Sequence, residues 1–335
     1  MNARIESIEY YLPESSLTNE MLSNENPSWD MDKVIDKTGV FNRPIASEKE
    51  TALSLALRAC KNLFKKQPKL KDQIDILIFC TQSPDYIMPP NSCVLHKHLE
   101  LKETITAFDF NLACSGFIYG SQMAQAYIAG GLAKKVLLVT ADTYSKYINK
   151  QDRSIRTLFG DGACVTVYSG CNEGGISRIQ CNTYGEGYEN FIIRAGAAAM
   201  PKSEETSKPI KGYTGNIRTL ENIHMNGANM LSFVTEKVPK DIYNLMEKTN
   251  TNTNDYKMFV FHQASKVALD TLEKKFELKP EQTYRNLETL GNLVSSSIPV
   301  AIKMAMDEGR LKKGDKILLS GFGVGLSYGC CSMVL

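Results

Sequence analysis

The stretch Asp75-Ile76-Leu77-Ile78-Phe79-Cys80-Thr81-Gln82-Ser83 decides the fold, because its pattern returns at Lys257-Met258-Phe259-Val260-Phe261-His262-Gln263-Ala264-Ser265. Each copy is a short apolar run of strand length that ends in polar residues. Each is followed by a basic turn that leads into a second apolar run, at residues 131–140 and again at residues 310–320. The spacing between these segments is 60 residues in the first copy and 59 in the second. The chain therefore contains an internal repeat of one α/β unit.

Between the predicted strands lie segments with helical patterns. One is amphipathic and two are rich in small side chains, which suits closely packed helices: residues 51–66, 115–129 and 295–308. Strands that alternate with helices favour parallel or mixed sheets covered by helices on their faces. We predict two duplicated halves, residues 1–172 and 173–335, and a surface loop over residues 202–215.

The composition is that of a globular chain without a strong charge. Its 335 residues are 43% hydrophobic and include 39 Lys and Arg against 37 Asp and Glu, a balance that argues against a dedicated nucleic-acid-binding protein. No apolar run approaches the ~18 residues of a membrane span. The N-terminus lacks the apolar core of a signal peptide, so we predict a cytoplasmic protein. The nine cysteines form no Cys-x-x-Cys pair and no zinc pattern with the four histidines, so no metal site is expected.

Cys114 lies where an apolar segment, residues 105–110, is followed by a short turn and the start of a predicted helix. The first turn of a helix has unpaired backbone N–H groups and the positive end of the helix dipole. Both favour the thiolate, which is the nucleophilic form of cysteine. Cys114 is therefore the candidate nucleophile, whereas the other cysteines are expected to be buried thiols.

The second half places polar side chains at equivalent positions. His262 ends the predicted strand of the second copy, and Asn292 precedes a predicted helix, as Cys114 does in the first half. If the halves are related by a pseudo-twofold axis, Cys114, His262 and Asn292 converge on one central pocket. A glycine-rich segment near the C-terminus precedes a predicted strand rather than a helix: Ser320-Gly321-Phe322-Gly323-Val324-Gly325-Leu326. This favours an oxyanion hole beside the thiol over a phosphate-binding loop.

The sequence resembles the thiolase superfamily and, within it, the β-ketoacyl-acyl carrier protein synthase III family. The matching motifs occur in the family's order and span nearly the whole chain: Ala113-Cys114-Ser115-Gly116-Phe117, Phe159-Gly160-Asp161-Gly162-Ala163, His262-Gln263-Ala264, Gly291-Asn292 with Ser297-Ile298-Pro299, and Gly321-Phe322-Gly323-Val324-Gly325-Leu326. The resemblance implies a thiolase-like α/β fold with duplicated halves in five α-β-α-β-α layers, and a homodimer.

The resemblance also implies a reaction. Cys114 would take an acyl group from a coenzyme A thioester, and His262 and Asn292 would bind the malonyl thioester carbonyl of an acyl carrier protein. Decarboxylation would give an enolate that attacks the acyl-cysteine. Backbone N–H groups of Cys114 and Val324 would hold the oxyanion, and Phe322 would exclude water. Thioesters of coenzyme A or of acyl carrier protein would be the substrates, with no cofactor.

The sequence departs from the family outside this centre. Lys33 aligns with the Trp that stacks on the coenzyme in the family, Lys37 aligns with a nearby Arg, and Trp29 lies four residues early, whereas Arg153 matches an adenine-contacting Arg. Met88 aligns with a bulky residue that enters the acyl channel of the partner subunit. An Arg used for carrier docking aligns with Val267, and the basic residues left for docking are Lys266, Lys274 and Lys275. We therefore expect an unusual acyl donor, as in a paralogue specialised for a secondary-metabolite or glycan pathway.

Four other functions share some of these sequence features. An acyltransferase that forms an ester or amide would not need Asn292 to stabilise an enolate. A thiolase would need a second catalytic cysteine, for which Cys330 and Cys331 are candidates, although they lie in a predicted closing strand. A chalcone-type polyketide synthase shares the Cys, His and Asn set but has a longer chain. A non-enzymatic partner subunit would be expected to have lost one of the three residues.

Overall fold

A computed structural model describes residues 1–212 and 214–335 of the chain. Its strands are β1 (Asn2–Tyr11), β2 (Ser16–Thr18), β3 (Asn42–Pro44), β4 (Ile76–Cys80), β5 (Thr106–Phe110), β6 (Lys135–Asp142), β7 (Gly162–Cys171), β8 (Gly175–Thr183), β9 (Phe191–Ile192), β10 (Ile210–Lys211), β11 (Ile217–Arg218), β12 (His224–Met225), β13 (Met258–Phe261), β14 (Lys316–Gly323) and β15 (Ser327–Val334).

The α-helices are α1 (Asn19–Glu25), α2 (Met31–Thr38), α3 (Ala52–Lys66), α4 (Asn91–His98), α5 (Gly116–Ala129), α6 (Arg153–Arg156), α7 (Gly227–Thr249), α8 (Lys266–Lys275), α9 (Leu287–Leu290) and α10 (Ser297–Asp307). The three helices expected from the sequence are α3, α5 and α10, each within two residues of its predicted bounds. Thr51 caps α3, because its side chain accepts a hydrogen bond from the backbone N–H of Ser54.

Two large sheets repeat one strand arrangement. The first has the order β1-β7-β6-β4-β5 and the second the order β13-β14-β15-β8. In both, the two strands identified as repeats are parallel neighbours: Ile78 faces Leu138 across β4 and β6, and Val260 faces Leu319 across β13 and β14. A single parallel bridge from Phe259 to Thr283 lies where β5 would lie in the first sheet. The internal repeat predicted from the sequence is confirmed.

The layers follow the order helix, sheet, helix, sheet, helix. α5 and α10 lie between the sheets and contact strands of both, whereas α3 covers the outer face of the first sheet and α7 that of the second. Because side chains alternate along a strand, Ile78 of β4 packs in the central core and Phe79 packs in the outer core under α3. Both faces of the strand are buried, which explains its continuous apolar run. The predicted five-layer α/β fold is confirmed.

The chain passes from the first sheet to the second between Cys171 and Gly175. The boundary at 172/173 lies between these strands, and the division of the chain into halves there stays a prediction. The predicted loop at 202–215 contains the two-residue strand β10, and its Tyr213 lies outside the described residues. Within residues 1–212 and 214–335, no helix combines the length and the apolar character needed to cross a membrane.

Candidate active site

Cys114 lies in the turn between β5 and α5, two residues before the helix begins, and its side chain is buried. The glycine-rich strand β14 passes directly beside it. A Cβ atom at Gly323 would lie 3.1 Å from the Cys114 sulfur, and one at Gly321 would lie 2.9 Å from the Cys114 carbonyl oxygen. These two positions lack side chains because the backbone of β14 approaches the thiol. The glycine pattern therefore reflects close contact with Cys114.

The turn at Val324 is tied to the start of α5 by two hydroxyl groups. Ser327 Oγ donates to the Val324 carbonyl at 2.6 Å and lies 2.7 Å from Ser115 Oγ. The structure thereby brings Val324 and Cys114, the two predicted oxyanion donors, into one connected region. Their part in catalysis stays a prediction.

The electrostatic surroundings of Cys114 favour the neutral thiol, whereas the position before a helix was expected to favour the thiolate. Burial, in the first place, and the carboxylate of Asp142 raise its pKa well above the ordinary cysteine value. Hydrogen bonds from its own backbone N–H and from the side chain of Asn292 lower the pKa in part. Asn292 is therefore within hydrogen-bonding reach of the Cys114 sulfur, as the sequence comparison of the halves predicts.

Asn292 is held in place through its backbone and through one oxygen. Its backbone N–H donates to Leu158 O at 2.9 Å, and Gly160 N–H donates to Asn292 O at 3.0 Å. Its Oδ1 accepts from Val294 N–H at 2.8 Å, which directs the Nδ2 group away from that bond. The fixed orientation leaves the amide N–H groups as the donors that can serve a substrate oxygen.

Two glycines allow these backbone hydrogen bonds of Asn292 to form. Gly291 has a φ of 62°, and a Cβ atom there would lie 2.6 Å from Leu158 O. A Cβ atom at Gly160 would lie 2.5 Å from Leu290 O, so both positions exclude side chains. The motifs around Gly160 and Gly291, which are far apart in the sequence, are thus two sides of one backbone contact.

His262 follows β13 and is 1% exposed. Its backbone N–H donates to Ser320 O at 2.8 Å, and its ring lies 5.6 Å from the Phe322 ring in an edge-to-face arrangement. Burial lowers the pKa of His262 to about 3, so the imidazole is neutral at physiological pH. Its Nδ1 has no partner within the described part of the chain. Phe322 is adjacent to Gly323, so the Cys114, His262, Asn292 and Phe322 side chains lie in one buried region.

The predicted coenzyme contacts lie on α2 and at the start of α6. Lys33 is exposed and pairs with Asp30 at 2.8 Å, and Arg153 is close enough for its charge to affect the pKa of both. Lys37, in the last turn of α2, is exposed and Trp29 is half-buried. Lys33 and Arg153 are therefore near enough to interact electrostatically. The structure also gives Lys33 an ion-pair partner that sequence reasoning missed.

The predicted carrier and partner contacts lie away from the buried centre. Lys266 opens α8 and pairs with Asp270 at 2.7 Å, which offsets its charge, whereas Lys274 and Lys275 end the same helix. Lys266 also packs against Gly39 at the end of α2, so α8 and α2 are neighbours. Met88 is 80% exposed and follows Ile87, which is 98% exposed.

Sequence reasoning missed two residues behind the centre. Asp142 ends the apolar run of β6 and is buried, and Ser295 Oγ donates to its Oδ2 at 2.6 Å. The available signal was a lone carboxylate at the end of a buried strand. Its partner, three residues after Asn292, shows no distinguishing pattern in the sequence.

Comparison with known proteins places this arrangement in a family. The model of the 3-oxoacyl-[acyl-carrier-protein] synthase III family matches residues 108–185, and the model of its C-terminal part matches residues 246–335. The chain is 34% identical to β-ketoacyl-[acyl-carrier-protein] synthase III of Clostridioides difficile, over 98% of this chain and 96% of that protein.

Solved structures agree with the sequence comparison. A crystal structure of a 3-oxoacyl-(acyl-carrier-protein) synthase III superposes with a TM-score of 0.97 at 38% identity, over the whole of both chains. The β-ketoacyl-[acyl carrier protein] synthase III of Thermus thermophilus superposes with a TM-score of 0.88 at 28% identity, over 99% of both chains. The family resemblance read from the motifs is confirmed, and the chain belongs to the β-ketoacyl-acyl carrier protein synthase III family.

Proposed function

We propose that the chain is a condensing enzyme that joins an acyl group to a malonyl thioester with loss of carbon dioxide. The observation that carries this proposal is that the buried side chains of Cys114, Asn292 and His262 lie in one region, with Asn292 close enough to lower the pKa of Cys114 and with His262 neutral. A nucleophile beside two neutral hydrogen-bonding side chains suits a reaction in which charge develops on an enolate oxygen.

The first half-reaction loads Cys114. Its thiolate attacks the carbonyl carbon of an acyl thioester, and the oxyanion formed accepts hydrogen bonds from the backbone N–H groups of Cys114 and Val324. The carbon–sulfur bond to coenzyme A or to the carrier then breaks. The leaving thiolate takes up the proton that Cys114 released, which leaves an acyl-cysteine.

The second half-reaction forms the carbon–carbon bond. The bond to the malonyl carboxylate breaks, carbon dioxide leaves, and the electron pair forms an enolate whose oxygen accepts hydrogen bonds from His262 and Asn292. The enolate carbon attacks the acyl carbon, and the Cys114 thiolate leaves. Phe322, whose ring packs against His262, keeps water from hydrolysing the thioester. No metal or other cofactor takes part in this scheme.

The substrates are proposed to approach over α2, α6 and α8. Arg153 with Lys33 and Lys37 would contact the phosphate-bearing part of the donor, and Trp29 lies just before the same helix. Lys266, Lys274 and Lys275 would contact the acidic surface of an acyl carrier protein. Lys274 and Lys275 would contribute most, because Lys266 is already paired with Asp270. The reaction is expected in the cytoplasm.

The functional unit is proposed to be a homodimer. β5 is the edge strand of the first sheet, and the segment between β4 and α4 exposes Tyr86, Ile87 and Met88. An uncovered edge strand can pair with a second copy, and an exposed apolar group next to it would be buried by the same contact. Met88 would then reach the acyl channel of the partner subunit.

Intact-mass analysis after incubation with a panel of acyl-coenzyme A and acyl-carrier thioesters tests the function. We expect one acyl adduct, which is discharged as a β-ketoacyl thioester when malonyl-carrier protein is added. Discharge onto an alcohol or amine, with malonyl-carrier protein inert, would instead identify an ester- or amide-forming acyltransferase. Absence of any adduct would overturn the proposal.

A further inference from the structure

Asp142 connects the two halves of the protein behind the proposed centre. Its Oδ1 accepts from the backbone N–H of Gln82 at 2.8 Å and lies 3.3 Å from Thr81 Oγ1 and 3.4 Å from Ser83 Oγ, all in the turn after β4. Its Oδ2 accepts from Ser295 Oγ at 2.6 Å, on the opposite side. One carboxylate therefore joins the first copy of the repeat to the Asn292 segment of the second.

Ser295 lies between Asn292 and α10, where the chain has little freedom. Asn292 Oδ1 is bonded to Val294 N–H at 2.8 Å, and the next residue along the chain, Ser295, is bonded to Asp142. Ser296 then donates from its Oγ to Thr140 O at 2.9 Å. Two hydroxyl groups thus hold this segment against the end of β6, but only Ser295 reaches the carboxylate.

The titratable groups around Asp142 include the proposed nucleophile. Burial raises its pKa to about 7, and hydrogen bonds from Ser295, Gln82 and Thr81 oppose that shift. The titratable groups that face it are the thiols of Cys80 and Cys114 and the phenols of Tyr144 and Tyr147, each with its pKa raised in part by the carboxylate. Asp142 thus acts on Cys114 through space and on Asn292 through Ser295.

We propose that Asp142 is a positioning residue that, through its hydrogen bond with Ser295, holds Asn292 within reach of the Cys114 sulfur. This inference rests on the proposed function, because Asn292 is assigned to the condensation step. Loss of the Ser295 hydroxyl would loosen the segment that follows Asn292, although the backbone hydrogen bonds of Asn292 with Leu158 and Gly160 would remain. Condensation would then suffer more than loading of Cys114.

The test compares Ser295→Ala with Ser296→Ala. Each variant loses one buried hydroxyl that bonds to the end of β6. Ser296→Ala is the control, because it removes such a hydroxyl but keeps the bond from Ser295 to Asp142. The first measurement is the rate of Cys114 alkylation by iodoacetamide against pH. Because the bond from Asn292 lowers the thiol pKa, Ser295→Ala is expected to shift the profile to higher pH, toward that of Asn292→Ala, and Ser296→Ala is not.

The second measurement separates single-turnover acylation from condensation. Ser295→Ala is expected to lose about 10-fold in condensation, less than the 10²–10³-fold expected for removal of the donor itself, with acylation unchanged. The amide of Asp142→Asn has one acceptor oxygen, so it can accept from Ser295 or from the turn after β4 but not from both. This variant should therefore lose condensation to the same extent as Ser295→Ala. The double variant should lose no more than either single variant, because both substitutions break the same bond.

Two results would overturn the inference: alkylation profiles of Ser295→Ala and Ser296→Ala that coincide, or additive losses in the double variant. The alkylation profile needs no condensation activity. If the unaltered protein fails to condense, the proposed function fails, and the comparison of the two serine variants still decides the role of Asp142.

Discussion

The imidazole of His262 stands edge-on to the ring of Phe322, with 5.6 Å between the ring centres and 87° between the planes. Both side chains are buried. Burial lowers the pKa of His262 to about 3, and the Phe322 ring is one of the apolar groups that surround the imidazole. His262 is therefore a neutral group with one N–H to donate throughout the physiological range.

A pH experiment follows from this arrangement. Between about pH 5 and 8, where an ordinary histidine would titrate near 6.5, condensation should show no loss that is due to protonation of His262. Phe322→Ala admits water and should raise the pKa of His262 toward 6.5, so condensation by this variant should fall as the pH drops below that value. Phe322→Leu, which keeps an apolar side chain at this position, is the control. Because the pKa of Asp142 is also raised, to about 7, the profile is measured in Asp142→Asn as well, and a midpoint near pH 6.5 that persists in that variant would contradict the prediction.

Cys114 is expected to be the acylated residue, because it lies at a helix start beside the glycine-rich strand and Asn292. Peptide mapping after loading with an acyl thioester should place the added mass on Cys114, and Cys114→Ala should carry none. Cys330→Ala is the control, since this buried thiol has its pKa raised by burial and by Asp241, and it should load normally. Acyl mass on Cys80, Cys164 or Cys330 with Cys114 unmodified would refute the assignment.

His262 and Asn292 are expected to act after loading. His262→Ala and Asn292→Ala should still form acyl-Cys114 but lose condensation by about 10²–10³-fold each, because each removes a hydrogen-bond donor to the enolate oxygen. The measurement is single-turnover acylation by intact mass, followed by β-ketoacyl product formation after malonyl-carrier protein is added. Normal condensation in both variants would show that the two side chains have another role.

The sequence was sufficient for the fold and for the convergence of the centre because both depend on patterns that repeat. The apolar runs that start at Ile76 and Met258 are long enough to define strands, and their equal spacing relates the halves. Cys114 and Asn292 each precede a helix that lies between the sheets, so the repeat itself implies that they meet. The glycines at 160, 291 and 323 could be recognised as constrained, although their contacts could not be assigned.

The remaining features depend on side-chain directions that no pattern encodes. The bond from Ser295 to Asp142 depends on how the segment before α10 is positioned against the end of β6. The pairing of Lys33 with Asp30 and of Lys266 with Asp270 depends on rotamers of exposed side chains. These ion pairs reduce the free charge that Lys33 and Lys266 offer to a substrate, which the sequence alone does not reveal.

Lys33 is expected to affect which acyl donor the protein uses. Lys33 is 79% exposed in its side chain, pairs with Asp30 and has no planar face, so it cannot stack on adenine. Base stacking is worth ~1–3 kcal/mol, so loading of Cys114 from acyl-coenzyme A should be slower than with an aromatic residue at position 33, whereas loading from the matched acyl-carrier thioester, which has no adenine, should not depend on stacking. Lys33→Trp should raise loading from coenzyme A by about tenfold with little effect on the carrier thioester.

Trp29 provides the control for this prediction. It is half-buried just before α2, and its removal in Trp29→Ala should leave the ratio of the two loading rates unchanged. A strong preference for coenzyme A that Trp29→Ala weakens would show that this residue supplies the stacking surface, and the prediction would be wrong.

The buried carboxylate of Asp241, on α7, makes the stability of the fold depend on pH. Asp241 accepts hydrogen bonds from Gln180 and Asn182, both at 2.7 Å, and burial raises its pKa. A pKa that is higher in the folded state means that Asp241 favours folding when protonated, and that this contribution is lost as the pH rises through the folded pKa. Asp241→Asn keeps an acceptor oxygen and removes the charge. Its urea midpoint should therefore exceed that of the unaltered protein at pH 8, and the difference should shrink toward pH 4.

Asp270→Asn is the control of opposite sign, because the ion pairs of Asp270 with Lys266 and Arg285 lower its pKa and stabilise the fold only above it. A gain in Asp241→Asn that grows as the pH falls would contradict the argument.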